Sequence, residues 1–422
     1  MPSSECSAMP PRAEPPVSKV PGAYVFALAG SADADNIAPV IWAASADGTR
    51  CLVVVADAGV YDSLCNSWWI SERPSVTLRK LVSSDGAPDI RERLRRIMWN
   101  RLVVRRWLRR HEARLVAVQW REGVGHDTAG FLRRCMRWWS TGYFTQLQLA
   151  AGELGIPTVA LPHGHSTKTT IIRSEHVRER SSANAGKLPF ADRDSFAAYV
   201  FCSDYHRDAI LENSDMNPAN VVVWGSPRFN DEWVQQTYRA TRPADLPVMP
   251  HGAVRRVLFF IPKWQNLVDR AATMKLVAAL GADRRVQLVV RGHLRSEAAR
   301  LTGSERAILD SLHDVVMVAD GVSSASLIKA CDVVVDIDSS IAFDAVLTGK
   351  PYVRPRYLQD RSVGTIWDRL GGAHQTDDLD STVVLLCAPK LEVAPRDARF
   401  ETVVFGGSGS RVLAQYRDGL RA

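Results

Sequence analysis

Short, unbroken apolar runs recur along this chain at helical spacing, and they constrain its fold more than any other feature. In the first half they are AYVFALAG (23–30), CLVVVAD (51–57), ARLVAVQW (113–120), PTVALPHG (157–164), AAYVFCSD (197–204) and NVVVWGS (220–226). In the second half they are RRVLFFIPKW (255–264), RVQLVVRGH (285–293), HDVVMVAD (313–320), CDVVVDI (331–337) and PYVRP (351–355). A strand that is apolar at every position must be covered on both faces. An alternating pattern would mark a sheet with one wet face. Helical stretches such as NIAPVIWAASADG and FTQLQLAAGELG fall between the runs, so the rhythm is strand–helix–strand and the sheets should be parallel.

A polar passage carrying Pro243, Pro247 and Pro250 interrupts this rhythm near the middle. It divides the chain into two αβ halves. The expected organisation is a disordered tail over 1–21, an N-terminal doubly wound domain over 22–238 and a linker over 239–253. A C-terminal doubly wound domain follows over 254–405, with a terminal helix over 406–422. The tail MPSSECSAMPPRAEPPVSKVPG lacks the charged start and long apolar run of a signal peptide. No apolar stretch approaches the roughly 18 residues of a membrane-spanning helix. The seven cysteines are scattered without a CxxC pair. That pattern suits reduced thiols in a cytoplasmic protein and gives no zinc signature. No short repeat is present.

In doubly wound domains, ligands meet the C-terminal ends of the strands, so the residues just past each run are the candidates for chemistry. After PTVAL stand His163, Gly164, His165 and Lys168. Histidine is the general base suited to neutral pH, glycine lets a substrate approach the backbone, and lysine adds positive charge. Arg228 follows a Gly-Ser-Pro turn, Lys263 follows FFIP, and Arg291 and His293 follow QLVV. All four suit an anionic ligand such as a diphosphate. The formal net charge of +7 also favours an anionic partner. In DIDSSIAFDAVLTGKP (336–351), Ser339 and Ser340 fall where a strand hands over to a helix. There, free backbone N–H groups and hydroxyls can receive an anion. Asp344 lies one turn on, placed to accept from a hydroxyl. The same serines also read as an ordinary helix cap. Asp336-Ile337-Asp338 spells the DxD that holds a metal in some glycosyltransferases, but so short a pattern assigns no metal.

Taken in order, these motifs resemble the CDP-glycerol glycerophosphotransferase family, enzymes of teichoic acid and bacterial surface-polymer synthesis. LPHGHSTK looks like the family's Trp-His-Gly-Thr motif and GSPR like its Gly-x-Pro-Arg. IPKW is similar to its Pro-Thr-Trp and RGHL to its Lys-x-His-Pro. DIDSSIAFDAVLTGKP is similar to its Asp-Tyr-Ser-Ser segment with a later Phe-Asp and Lys-Pro. The resemblance spans about residues 155–355. Pro162, Lys263, Leu294 and Asp338 depart from the family's tryptophan, threonine, proline and tyrosine. It implies a GT-B fold, with two Rossmann-like domains facing across a cleft. It implies His163 as the catalytic base, with His293 contacting the donor phosphates and Ser339 and Ser340 cradling them. It implies neither a metal nor a cofactor. The expected activity is transfer of a glycosyl or glycerophosphate group from a CDP-, CMP- or UDP-type donor to a hydroxyl of a surface-glycan or lipid-linked acceptor. The alternatives are a sugar-nucleotide 2-epimerase of the same fold, or a non-catalytic membrane- or RNA-associated protein.

Residues 90–114 hold ten arginines among apolar residues at helical spacing, and 131–144 add Trp138 and Trp139. A basic amphipathic helix with tryptophans suits an anionic membrane surface, and so peripheral attachment to the inner face of the cytoplasmic membrane. The same pattern also reads as a helix packed on the core with solvated arginines. No nucleic-acid motif accompanies it, so nucleic acid is not an expected partner.

Overall fold

A computed structural model describes residues 22–81, 99, 101–120, 142–169, 175–292, 301–312, 315–319, 321–337, 339–407 and 410–422. The expected tail over 1–21, His293, Asp338, most of 90–100 and 131–141 lie outside these residues.

The apolar runs form two parallel sheets. The first comprises β1 (Ala23–Leu28), β2 (Arg50–Val55), β3 (Val76–Lys80), β4 (Ala113–Gln119), β5 (Thr158–Leu161), β6 (Ala198–Phe201) and β7 (Val221–Val223). Its order is β3-β2-β1-β4-β5-β6-β7. The second comprises β8 (Arg255–Phe260), β9 (Val286–Arg291), β10 (Val315–Met317), β11 (Val333–Val335), β12 (Tyr352–Pro355) and β13 (His374–Thr376). Its order is β10-β9-β8-β11-β12-β13. Every strand pairing is parallel.

The strand period of two explains why the runs are unbroken. Phe26, Leu28, Val53 and Val55 enter the core on one face of the first sheet. Val25, Ala27, Leu52 and Val54 enter the core on the other. Leu258 and Phe260 part from Val257 and Phe259 in the same way in the second sheet. The sequence pattern does not show β3 or β13. Both are sheet-edge strands, VTLRK and HQT, and both are partly exposed, so neither needs a continuous apolar run.

Each sheet reverses its winding once, between β1 and β4 in the first and between β8 and β11 in the second. These switch points are where a doubly wound fold opens a crevice. The terminal helix Ser410–Gly419 returns to the first sheet, where Val412, Leu413 and Tyr416 join the core beside Ile37 and Ile41. Gly225 is held beneath it, since its carbonyl accepts from the Tyr416 hydroxyl at 2.8 Å.

Within the arginine-rich segment, the helix Arg101–Arg110 buries Val104 and Leu108. Arg101 and Arg105 pair with Glu153, the latter at 3.5 Å. Leu102 and Val103 remain exposed, at 56% and 44%. One face of this helix is therefore ordinary packing, and another is open.

Candidate functional site

The two switch points face one cavity of about 830 Å³, within the size range of small-molecule sites. His163, Gly164 and Arg228 line it from the first half of the chain. Lys263, Arg291, Ser339, Ser340 and Asp344 line it from the second. The residues singled out at separate strand ends therefore converge, as the strand-end rule requires. Lys168 does not reach this cavity. It is 6% exposed and pairs in antiparallel fashion with Thr365. On either side of it, Thr169 N–H donates to Gly364 O at 2.8 Å and Ile366 N–H to Thr167 O at 2.9 Å. The loop after β5 is thus strapped to the second half of the chain. His165 touches the cavity, but its ring is packed among His206, Phe229 and Phe343, with centroids 4.6–5.9 Å away.

His163 has a partner that the sequence reading missed. Its Nδ1 lies 2.9 Å from Asp33 Oδ1. Asp33 is 1% exposed, and its second oxygen accepts from the backbone N–H groups of Ala29 and Gly30 at 2.7 and 3.0 Å. Gln119, at the end of β4, reaches the same pair; in the amide orientation that gives it partners its nitrogen faces both Asp33 and His163 Nδ1, and Asp33 is its acceptor when Nδ1 carries a proton. Asn36 donates to the His163 carbonyl at 3.1 Å. A carboxylate on Nδ1 holds the proton there and leaves Nε2 as the basic nitrogen. The signal was present in the sequence. Gly30-x-x-Asp33 at the end of the first apolar run is a capping pattern, because the third residue of a helix reaches back to the cap N–H groups.

A second cavity of about 660 Å³ adjoins the first. Gly30, Asp33, Asp57 and Gln119 line this second cavity only. His163, Asp35, Ser63 and Lys263 line both. The two cavities are contiguous along these residues, and His163 borders both.

Arg228 joins the two halves electrostatically. Its Nη2 donates to Asp344 Oδ2 at 2.5 Å, and its Nη1 lies 3.8 Å from Asp35. The Arg228 and Asp344 side chains are only 17% and 20% exposed. Burial holds the Asp344 carboxyl above the usual range; Arg228 opposes this and Asp35 adds to it. Arg291 is buried and donates to the Val322 carbonyl. Lys263 is half-buried, with no charged partner among the described residues.

At the β11 end, Asp336 is 1% exposed and accepts from the Ser339 N–H at 2.8 Å. It shapes the turn. Ser339 Oγ accepts from the Ile341 N–H at 3.1 Å, a local turn just before the helix, whose cap position is Ser340 and not Ser339. The Ser340 hydroxyl makes no such bond and faces the cavity. Among the described residues, no group of three or more His, Cys, Asp or Glu side chains is placed to hold a metal ion. No helix among them is long and apolar enough to cross a membrane.

No protein-family model matches the chain, and no curated protein matches it. Solved structures do match. The UDP-GlcNAc 2-epimerase of Neisseria meningitidis bound to UDP-GlcNAc superposes with a TM-score of 0.57 at 13% identity, over 95% of this chain and 100% of that one. The UDP-GlcNAc 2-epimerase of Methanocaldococcus jannaschii gives 0.54 at 12%, over 94% and 98%. A UDP-N-acetylglucosamine 2-epimerase of Listeria monocytogenes, described as putative, gives 0.54 at 12%, over 87% and 89%. Likeness at this identity speaks for architecture alone: the chain has the GT-B fold.

Proposed function

We propose that this chain is a nucleotide-dependent transferase that moves a glycosyl or glycerophosphate group to a hydroxyl of a glycan or lipid-linked acceptor. One observation carries the reading. His163, oriented by buried Asp33, borders two contiguous cavities, and a two-substrate reaction needs a base shared by both substrates.

In this reading the nucleotide-activated donor lies in the larger cavity. Its phosphates meet Lys263, Arg291 and the Ser339–Ser340 turn, with His293 as the residue implied by the motif. The acceptor approaches from the smaller cavity, past Ser63, while Gly164 lines the larger cavity beside the donor. His163 Nε2 takes the acceptor proton while Asp33 stabilises the imidazolium that forms. The oxygen then attacks the anomeric carbon of a sugar donor, or phosphorus in CDP-glycerol, and the nucleotide leaves with the bonding electrons. The cationic groups meet the charge that develops on it. Arg228 is already neutralised by Asp344 and Asp35, so its part is to hold the two walls of the cleft together. The open side of the helix Arg101–Arg110 supports contact with an anionic membrane, where a lipid-linked acceptor would reside.

A second reading, a sugar-nucleotide 2-epimerase, is favoured by the full-length likeness to enzymes of that activity. One experiment separates them. Thermal shifts are measured against CDP-glycerol, CMP-, UDP-, GDP- and dTDP-sugars, with EDTA and with magnesium, beside a Ser339→Ala/Ser340→Ala variant. A native-state ligand raises Tm by mass action. The donor so found is then incubated with the protein, and its products are read by mass spectrometry and NMR. Nucleotide release that depends on an acceptor and is lost in His163→Ala supports the transferase. An isomerised sugar with the nucleotide still attached supports the epimerase. No shift with any nucleotide refutes both.

A further inference from the structure

The lining of the larger cavity is of two kinds. Arg228, Lys263, Arg291 and Asp344 are charged. The residues that the helix Asp231–Ala240 and the segment 63–69 contribute are uncharged. On the helix, Trp233 and Thr237 stand four residues apart and form a stripe on one face, and Thr241 follows as the extended residue that ends it. Trp233 to Thr237 spans roughly 6 Å of helix axis, the length of about one pyranose ring.

Trp68 lies against the start of this stripe, 5.5 Å from Trp233 and 6.2 Å from Trp42 between ring centroids. Trp42, Trp69 and Trp233 are buried, at 8%, 2% and 8% exposed; Trp68 is only partly buried and lines the cavity. Trp42 and Trp233 fix its position, and Trp69 packs on Trp233. Ser63 and Ser67 line the cavity beside it, and the Thr237 Oγ1 is buried without a hydrogen-bond partner among the described residues. A fixed indole beside neutral serines suits what a sugar ring carries, an apolar C–H face with hydroxyls at its rim. It offers nothing to a phosphate.

We infer that this uncharged part of the lining is a subsite for a neutral carbohydrate, reached from the smaller cavity past Ser63, which lines both cavities, and that it stacks on Trp68 a ring of the acceptor beyond the unit that reacts at His163. The inference rests on the transferase reading and names the acceptor class that this reading leaves open.

The test uses the full chain saturated with UDP or CDP, whichever raises its Tm. Saturation-transfer NMR is recorded with maltose, cellobiose, N,N′-diacetylchitobiose and octyl glucoside. At least one disaccharide receives saturation on its ring protons. That signal falls at least fivefold in Trp68→Ala and is largely restored in Trp68→Phe. It also falls in Ser67→Arg, which places a charge beside the indole without removing the packed ring and so stands in if Trp68→Ala does not fold. The nucleotide-induced Tm rise is unchanged in all three variants. Four outcomes overturn the inference. They are no disaccharide binding, equal binding in Trp68→Ala and Ser67→Arg, saturation confined to the octyl chain, and loss of the nucleotide response in Trp68→Ala, which would make the ring a nucleobase platform. If neither UDP nor CDP shifts the wild type, the nucleotide-dependent reading fails instead, by a separate measurement.

Discussion

Replacing Arg228 with methionine removes a guanidinium that bridges the two walls of the cleft. It leaves Asp344 about four-fifths buried, its 2.5 Å partner gone and Asp35 nearby as a like charge. Breaking a buried pair from one side costs about 3–5 kcal/mol, because the remaining charge stays desolvated. Both side chains here keep some water contact, so the lower end applies, about 3 kcal/mol at pH 7. Removing both charges, in Arg228→Met/Asp344→Asn, leaves no buried carboxylate and costs about 1 kcal/mol. The double variant should therefore be about 2 kcal/mol more stable than Arg228→Met alone, and Asp344→Asn completes the cycle.

The pH dependence has a definite sign. Burial raises the Asp344 carboxyl, so its titration contributes stability that is present below the ordinary carboxylate range and lost as pH rises through the raised value. Removing Arg228 raises that value further. The gap between wild type and Arg228→Met is then small near pH 4 and opens toward pH 7. Urea unfolding of the four proteins of the cycle at both pH values reads it directly. The reasoning is refuted if Arg228→Met costs under about 0.5 kcal/mol, if the double variant is as unstable as the single, or if the gap is the same at pH 4 and pH 7.

Asp33→Asn should lower kcat about 100-fold or more, because the amide no longer holds the proton on His163 Nδ1. Combined with His163→Ala it should be no worse than His163→Ala alone, measured as nucleotide release. Gly225→Ala should cost about 2–4 kcal/mol in urea unfolding. Its φ is +86°, and a Cβ there would lie 2.8 Å from Val412 Cγ2 and 3.0 Å from the Phe405 carbonyl. Gly164→Ala should leave the Tm unchanged, since a Cβ there meets nothing within 4 Å, yet slow transfer about tenfold if substrate approaches that backbone. Arg270 makes two 2.6 Å bonds to Glu305 and holds its carboxyl down to about 2. That stability is present above the ordinary glutamate range and lost as pH falls through about 2. Arg270→Met should therefore cost at most about 1 kcal/mol above pH 5, and this difference should close by pH 2 in a thermal-melt series.

The sequence by itself determined the parallel, doubly covered sheets, because a strand buried on both faces has no polar position to spare. It also located most of the cleft residues, since strand C-termini are where a doubly wound fold must present its ligands. His163, Arg228, Lys263, Arg291 and the Ser339–Ser340 turn were all legible in that way. β3 and β13 were not, because edge strands bury too little to need an unbroken pattern. Only the tertiary structure decided which of these groups are available. Asp33 and His163 lie 130 positions apart and meet because β1 and β5 flank β4 in one sheet. Arg228 and Asp344 lie 116 apart and meet because the two sheets face each other. Lys168, an apparent cleft cation, is turned away by a two-residue strap to Thr365. Spacing along a chain ranks residues by local chemistry, but pairing across it depends on which strands are neighbours, and no single stretch of the sequence encodes that.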